Sequence, residues 1–113
     1  MEITLPLPEN KKLTVEFRVE PGCLGPSGKD HIENFCQLAQ NEIQLINSDF
    51  VHWVIIPRYD KSLAEMQYKI NNKNLNHTQA AKYLQLFNKN LDEFEEQLNE
   101  KLSQLIEHYL DNR

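Results

Sequence analysis

The chain has little of what loop-based catalysis or a disulfide framework requires. Its 113 residues include three glycines and two cysteines, and no glycine or proline follows Pro57. So few cysteines, in a chain without a recognisable secretion signal, are typical of free thiols. A domain of this length buries a core large enough to be stable without cross-links. We therefore expect a single domain over residues 1–113 that uses no disulfide.

Long hydrophobic runs are also missing. No apolar segment approaches the ~18–20 residues that cross a bilayer. The N-terminal stretch MEITLPLPEN has neither the basic region nor the apolar region of a signal peptide. These two absences predict a cytoplasmic protein that does not bind membranes.

A basic surface is the third absence. The chain carries 12 Lys and Arg against 17 Asp and Glu, which gives a net charge of −5. Nucleic acids and anionic lipid surfaces are bound by clustered basic side chains. Neither the part of the chain before residue 78 nor the part after it contains such a cluster. The sequence therefore predicts no nucleic-acid partner and no membrane partner.

The first half of the chain has strand patterns followed by a helix pattern. In LTVEFRV, residues 13–19, apolar and polar side chains alternate, as in a strand with one buried face. The shorter ITLPL, residues 3–7, is predicted to pair with it as an edge strand, because Pro6 has no N–H to donate. Residues 29–47 then repeat apolar side chains at steps of three and four, which predicts a helix with one buried stripe.

The second half adds two further strands and a helix. The apolar run FVHWVIIP, residues 50–57, predicts a strand that is buried on both faces or lies in the centre of the sheet, and residues 64–70 alternate as a half-buried strand. The asparagines of NNK favour a tight turn, after which Asn74–Leu75 can form a short return strand. The order is β-β-α-β-β-α. We predict an α+β fold in which an antiparallel sheet of about four strands carries two helices on one face, the C-terminal helix being long.

The last third of the chain is one long helical pattern without Gly or Pro. Apolar side chains recur at steps of three and four from Leu84 to Leu98. A continuous helix over residues 77–110 would be ~50 Å long, whereas a domain of this size has a radius of gyration of ~13 Å. Two alternatives follow. Either the helix breaks near Asn88–Asn90, or residues 98–113 project from the domain as an oligomerisation helix.

The second alternative predicts a protein–protein interface. Its contacts would come from the apolar side chains in the outer half of the helix. A Tyr–Arg pair in the loop after Pro57 is also typical of side chains that anchor interfaces. The predicted interface residues are Leu98, Leu102, Leu105, Ile106, Tyr109, Arg58 and Tyr59.

The stretch EPGCLGPSGKDH, residues 20–31, holds all three glycines. A phosphate-binding P-loop requires Gly-x-x-x-x-Gly-Lys-Ser/Thr between a strand and a helix. Here Cys23 stands at the first glycine position, and Asp30, whose carboxylate repels phosphate, stands at the hydroxyl position. The glycines are better explained by a turn that joins a strand to a helix.

A functional alternative remains for the same loop, residues 22–31. Cys23 leads toward a helix N-terminus, a position that can lower a thiol pKa, and His31 follows as a candidate base. The loop would then belong to a thiol-dependent enzyme or to a binder of a small ligand or anion. The catalytic candidates are Cys23 and His31, and the ligand-binding candidates are Gly25, Ser27 and Gly28.

Metal binding and carboxylate catalysis find no support in the sequence. Cys23, His31, Cys36 and His52 do not have the spacing of a zinc site. The carboxylates within residues 92–96 spread around the helix instead of lining one cleft. The sequence therefore predicts no metal and no cofactor. It favours a small cytoplasmic interaction or assembly module, whose partner is another protein or a second copy of the chain.

Overall fold

The computed structural model of the chain describes residues 4–111. Short 3-10 turns cover Glu9–Lys11 and Pro21–Leu24. The strands are β1 (Leu13–Val19), β2 (Val51–Pro57), β3 (Met66–Ile70) and β4 (Lys73–Leu75), and the helices are α1 (Gly28–Ile43), α2 (His77–Gln85) and α3 (Leu91–Asp111). None of the helices in residues 4–111 combines the length and the apolar composition needed to cross a membrane.

The four strands form one sheet in the order β2-β1-β3-β4. The fold is α+β, as predicted, but the sheet is mixed: β1 and β2 are parallel, and the other pairs are antiparallel. The prediction of a purely antiparallel sheet was wrong. The reason is that α1 carries the chain back along the sheet, so that β2 starts at the same end as β1.

The predicted N-terminal edge strand is also absent. Ile3 lies outside the described residues, and residues 4–8 form no strand. Leu7 N–H instead donates to Asp49 O at 2.8 Å, which ties this segment to the entrance of β2. The place beside β1 that a hairpin partner would have taken is occupied by β2, and this changes the strand order from the predicted one.

The core lies between the sheet and the helices α1 and α3. The alternation predicted for β1 is confirmed, because Leu13, Val15, Phe17 and Val19 are all buried on one face. Across the core, the rings of Trp53 and Phe94 stack with their centroids 5.3 Å apart. On the opposite face of the sheet, Arg18 is buried, and its guanidinium donates to Glu16 Oε1 and Gln67 Oε1, both at 3.2 Å.

The helical pattern of the last third breaks where the asparagines lie. Asn88 has a φ of 59°, in the left-handed region that Asn tolerates better than most residues. Asn90 then caps α3, because its Oδ1 accepts from the N–H of Asp92 at 2.9 Å and of Glu93 at 3.2 Å. The predicted break near Asn88–Asn90 is confirmed. The tight turn predicted at NNK is confirmed as well, with positive φ at Asn71 and Asn72.

The break between α2 and α3 lets α3 fold back onto its own domain. Leu98, Leu102 and Leu105 are 1, 5 and 7 % exposed, so the outer half of the helical pattern lies in the core of its own chain. Near its end, Tyr109 packs edge-on against Phe35 of α1, with ring centroids 5.6 Å apart. The overhang that motivated an oligomerisation helix over residues 98–113 is therefore not seen in the described part, which ends at residue 111.

The cap at Asn90 gives a stability prediction. We expect Asn90→Ala to lower the free energy of unfolding by about 1 kcal/mol, because two backbone N–H groups lose their acceptor. Asn90→Asp, which keeps the acceptor, should have a free energy of unfolding close to that of the wild type. Asn99→Ala, at an exposed position inside α3, is the matched control and should not destabilise. Urea unfolding followed by circular dichroism measures all three. Equal losses for Asn90→Ala and Asn99→Ala would contradict the cap.

Candidate functional site

The glycine loop, residues 22–28, makes a close approach of backbone to backbone. Gly28, the first residue of α1, is buried against Pro21, and a Cβ at this position would lie 1.8 Å from the Pro21 carbonyl oxygen. Gly25 has a φ of +90°, which side chains disfavour. Ser27 is exposed at the N-cap position, but its side chain makes no capping hydrogen bond. Gly25 and Gly28 are thus required by the path of the chain.

This close approach predicts different results for two glycines in the same loop. Gly28→Ala should lower the free energy of unfolding by about 3 kcal/mol or more, because the new methyl group collides with backbone that cannot rotate away. Gly22→Ala is the matched control, since a Cβ there meets no atom within 4 Å. Thermal unfolding of both variants distinguishes them. Similar melting temperatures would show that the loop relaxes and that the collision carries no cost.

Cys23 and His31, the catalytic candidates, are not joined by a hydrogen bond or an ion pair. Cys23 is exposed in the turn Pro21–Leu24. His31 contacts Tyr109 instead, with its Nδ1 3.4 Å from the tyrosine hydroxyl. Partial burial and the carboxylates of Glu20 and Glu65 raise the pKa of the Cys23 thiol. A raised pKa reduces the thiolate fraction at neutral pH, which is the opposite of nucleophile activation.

The environment of Cys23 predicts its reactivity. Because its pKa is raised, we expect the rate of alkylation by iodoacetamide to reach half its maximum at a higher pH than for a cysteine in an unstructured peptide. Mass spectrometry assigns the modification to Cys23 and separates it from Cys36, whose burial raises its pKa to about 12. Glu65→Gln removes one of the nearby charges and should shift the midpoint to lower pH. A wild-type midpoint below pH ~8 would revive the thiol-enzyme alternative.

Metal ligands do not cluster in the described residues. Within residues 4–111, no three His, Cys, Asp or Glu side chains are arranged so that they could hold a metal ion. Cys36, which the sequence placed on the apolar stripe of the helix, is buried in the core.

The loop after β2 is organised by Arg58. Its guanidinium donates to Leu63 O at 2.9 Å and Lys61 O at 3.1 Å, and it pairs with Glu20 at 2.8 Å. These bonds stabilise the loop that connects β2 to β3. Arg58, which was predicted as an interface anchor, therefore bonds within its own chain. Tyr59 remains 67 % exposed, and its hydroxyl donates to Glu33 at 2.9 Å, which raises the pKa of Tyr59.

The β2 edge of the sheet is partly closed, at its start and in its middle. At its start, Val51 N–H and Trp53 Nε1 donate to the connection that follows α1, at Asn47 O and Ile46 O. In the middle, the carboxamide of Gln40 donates to Trp53 O at 2.9 Å and accepts from Ile55 N–H at 2.8 Å. At the end, Pro57 has no N–H to offer. An added strand would therefore meet one backbone donor at the start of β2, and a donor and an acceptor in its middle, that are already in use.

The other edge is only half covered. β4 pairs with β3 from Ile70 to Tyr68 and ends there, so no strand of the described chain lies beside Met66 on the side away from β1. Arg18 N–H donates to Glu65 O at 2.8 Å, and the next pair along is Phe17 with Met66. In an antiparallel ladder, the residue next to a hydrogen-bonded pair points its N–H and C=O away from that partner strand. The backbone groups of Met66 thus face the open edge.

A groove of about 630 Å³ runs along this open edge, between the first half of β3 and α3. Leu63, which is 46 % exposed, and Leu75 supply apolar surface. Glu95 and His77 lie on the opposite side, with His77 Nε2 3.4 Å from Glu95 Oε1. We call this feature the β3-edge groove; it is lined by residues 62–68 together with Leu75, His77, Glu95 and Asn99.

Glu95 is held in place from the core side. The hydroxyl of buried Tyr68 donates to Glu95 Oε1 at 2.8 Å. Burial and then this hydrogen bond raise the pKa of Tyr68, so the hydroxyl stays protonated and keeps donating. The carboxylate of Glu95 is thereby positioned at the rim of the β3-edge groove, and no Lys or Arg of residues 4–111 forms an ion pair with it.

The negative charge of the chain is concentrated on one helix. α3 carries seven Asp and Glu side chains and one Lys within 21 residues, whereas the whole chain has a net charge of −5. The exposed acidic face of α3 runs from Asp92 to Glu107, and Glu95 and Asn99 belong both to this face and to the β3-edge groove. The groove therefore opens beside the most negative surface among the described residues.

Comparisons with known proteins give no assignment. No protein-family model matches the chain, and searches with it found no similar curated protein and no similar solved structure. Function is therefore inferred from the geometry of the residues themselves.

The β3-edge groove was not predicted from the sequence. Its strand was recognised from the alternation in residues 64–70, and the short length of the return strand at Asn74–Leu75 was recognised too. A return strand shorter than its partner implies an uncovered edge, and this was the signal available. No pattern indicated that α3 forms the other wall, because the contact between Tyr68 and Glu95 joins residues 27 positions apart.

Proposed function

We propose that the chain is a protein-interaction module that binds an extended segment of a partner protein in the β3-edge groove. The observation that supports this is the backbone of Met66, whose N–H and C=O face an edge that β4 leaves uncovered. Extended peptides add to such edges through main-chain hydrogen bonds, while neighbouring side-chain pockets select the sequence. Because Gln40 covers the centre of the β2 edge, the β3 edge is the better of the two for a partner.

The chemistry of the partner follows from charge. Glu95 at the rim and the acidic face of α3 favour a segment that carries Lys or Arg, because complementary charges speed association and fix register. A second copy of the chain fits this groove poorly, since it would bring two helices with seven carboxylates each toward one another. The partner that the groove fits is therefore a different protein with a basic extended segment.

This proposal places the protein–protein interface at a different surface from the one predicted from the sequence. Leu98, Leu102 and Leu105 are buried in their own chain, and Arg58 is bonded within its loop. Ile106 and Tyr109 are half-buried beside them. The interaction module itself, and its cytoplasmic location, remain parts of the proposal. Two free cysteines agree with a reducing compartment.

The experiment is a peptide selection, followed by a substitution that removes the open N–H of the β3 edge. A random peptide library displayed on phage is selected on the wild-type chain, and the selected peptides are synthesised and titrated by fluorescence anisotropy. Met66→Pro removes the open N–H at the first position of β3, where proline is tolerated and the ladder to β1 is untouched. Met66→Ala shortens the side chain but keeps the N–H, and is the matched control.

We expect peptides rich in Lys or Arg that bind Met66→Ala nearly as well as they bind the wild type. Met66→Pro should weaken the affinity for these peptides by about tenfold or more, because a main-chain hydrogen bond is lost and the peptide can no longer pair with the edge. Glu95→Gln should weaken binding about threefold or more, with a smaller dependence on salt. If selected peptides bind Met66→Pro and the wild type equally, or if no peptide is enriched, the groove is not the binding site.

A further inference from the structure

A second inference concerns the opposite edge and does not depend on the proposed function. β2 is a seven-residue edge strand, VHWVIIP, without a charged side chain of Asp, Glu, Lys or Arg. Such edges are templates for pairing with another chain, and proteins usually protect them with charges, bulges or covering elements. In β2, none of these charges is present. The central backbone groups are covered instead by one side chain, that of Gln40.

The carboxamide of Gln40 occupies the place of a peptide group in a neighbouring strand. Its Nε2 lies 2.9 Å from Trp53 O, and its Oε1 lies 2.8 Å from Ile55 N. One donor and one acceptor two residues apart on the same strand are the pattern that an added strand would satisfy. Gln40 comes from α1, so this cover is a flexible side chain and not a strand.

The strand that β2 complements best is β2 itself. Arg58 N–H donates inward to Val19 O of β1, and the direction of the backbone groups alternates along a strand. The backbone groups of Trp53 and Ile55, an odd number of positions before Arg58, therefore face outward. If two copies pair antiparallel about a two-fold axis at Val54, Trp53 of each copy lies opposite Ile55 of the other. The axis then brings two Val54 side chains together, and β-branched pairs of this kind stabilise a sheet.

Gln40 blocks this arrangement at its centre. The pairing would place four hydrogen bonds at the two Trp53–Ile55 pairs. In each pair, the bond from Ile55 N–H to Trp53 O uses the two groups that Gln40 already holds. Two of the four central bonds therefore need backbone groups that Gln40 of each chain already holds. The side chain of Gln40 also lies where the second strand would lie. Like-charge repulsion does not oppose the pairing along β2, which has no carboxylate.

We propose that the β2 edge is a latent interface for a second copy of this chain, held closed by the side chain of Gln40. Removing the carboxamide leaves Trp53 O and Ile55 N–H unpaired at an exposed edge, and the strand of a second copy restores both bonds. The dimer so formed has a continuous sheet of eight strands, with the two β3-edge grooves at its far ends.

Sedimentation velocity over a wide concentration range tests the proposal. Gln40→Met keeps the length of the side chain but loses both bonds to β2. We expect it to form a dimer at concentrations where the wild type is a monomer. Gln37→Met is the matched control: it lies about one turn before Gln40 on α1, is exposed and makes no hydrogen bond to β2, so this variant should remain a monomer. Adding Val54→Lys to Gln40→Met should abolish the dimer, because two lysines would meet at the axis.

Amide hydrogen exchange of Ile55, measured by NMR, gives a second readout that a misfolded variant would not imitate. In dilute Gln40→Met, protection of this amide should fall roughly five- to tenfold, because its acceptor is gone. At high concentration the protection should return as the strands pair. A folded Gln40→Met that remains a monomer would overturn the proposal. So would a dimer that Val54→Lys leaves intact, or a wild type that already pairs through β2.

Discussion

The backbone N–H and C=O groups at the two edges of a four-stranded sheet need partners, and the way each edge meets this need organises the rest of the molecule. β1 is the only strand among the described residues with β-strands on both sides over most of its length. β2 obtains its outer partners from the α1–β2 connection and from Gln40. β3 obtains them from β4, but only as far as Tyr68. The β2 edge is covered by a side chain and by the preceding connection, and the β3 edge is left open at Met66.

Helix packing explains why the two edges differ. α1 crosses over the sheet between β1 and β2, which places Gln40 directly beside the β2 edge. α3 returns along the same face but meets β3 where β4 has ended, so that a groove remains instead of a cover. The tight passage of Gly28 past the Pro21 carbonyl sets the start of α1. The asparagines between α2 and α3 set the start of the other helix.

Charge separates the two edges in the same way as hydrogen bonding does. The β2 edge has no carboxylate of its own, so charge along the strand does not oppose an identical strand. The β3-edge groove opens beside the acidic face of α3, which repels a copy of itself and attracts basic side chains. Each edge thus favours a different class of occupant, and the stretch between residues 20 and 31, where the glycines are concentrated, serves the path of the chain.

Much of the local structure could be predicted from the residues. The strand at residues 13–19, the turn at NNK and the break at Asn88–Asn90 depend on periodicity and on asparagines acting over a few positions. Only the tertiary structure decided that β2 is parallel to β1, that Leu98, Leu102 and Leu105 turn into their own core, and that Gln40 meets Trp53 and Ile55. These outcomes depend on contacts between residues distant in sequence, which compete for the same hydrogen-bonding edges and the same apolar surface. A local sequence pattern does not determine which of these contacts forms.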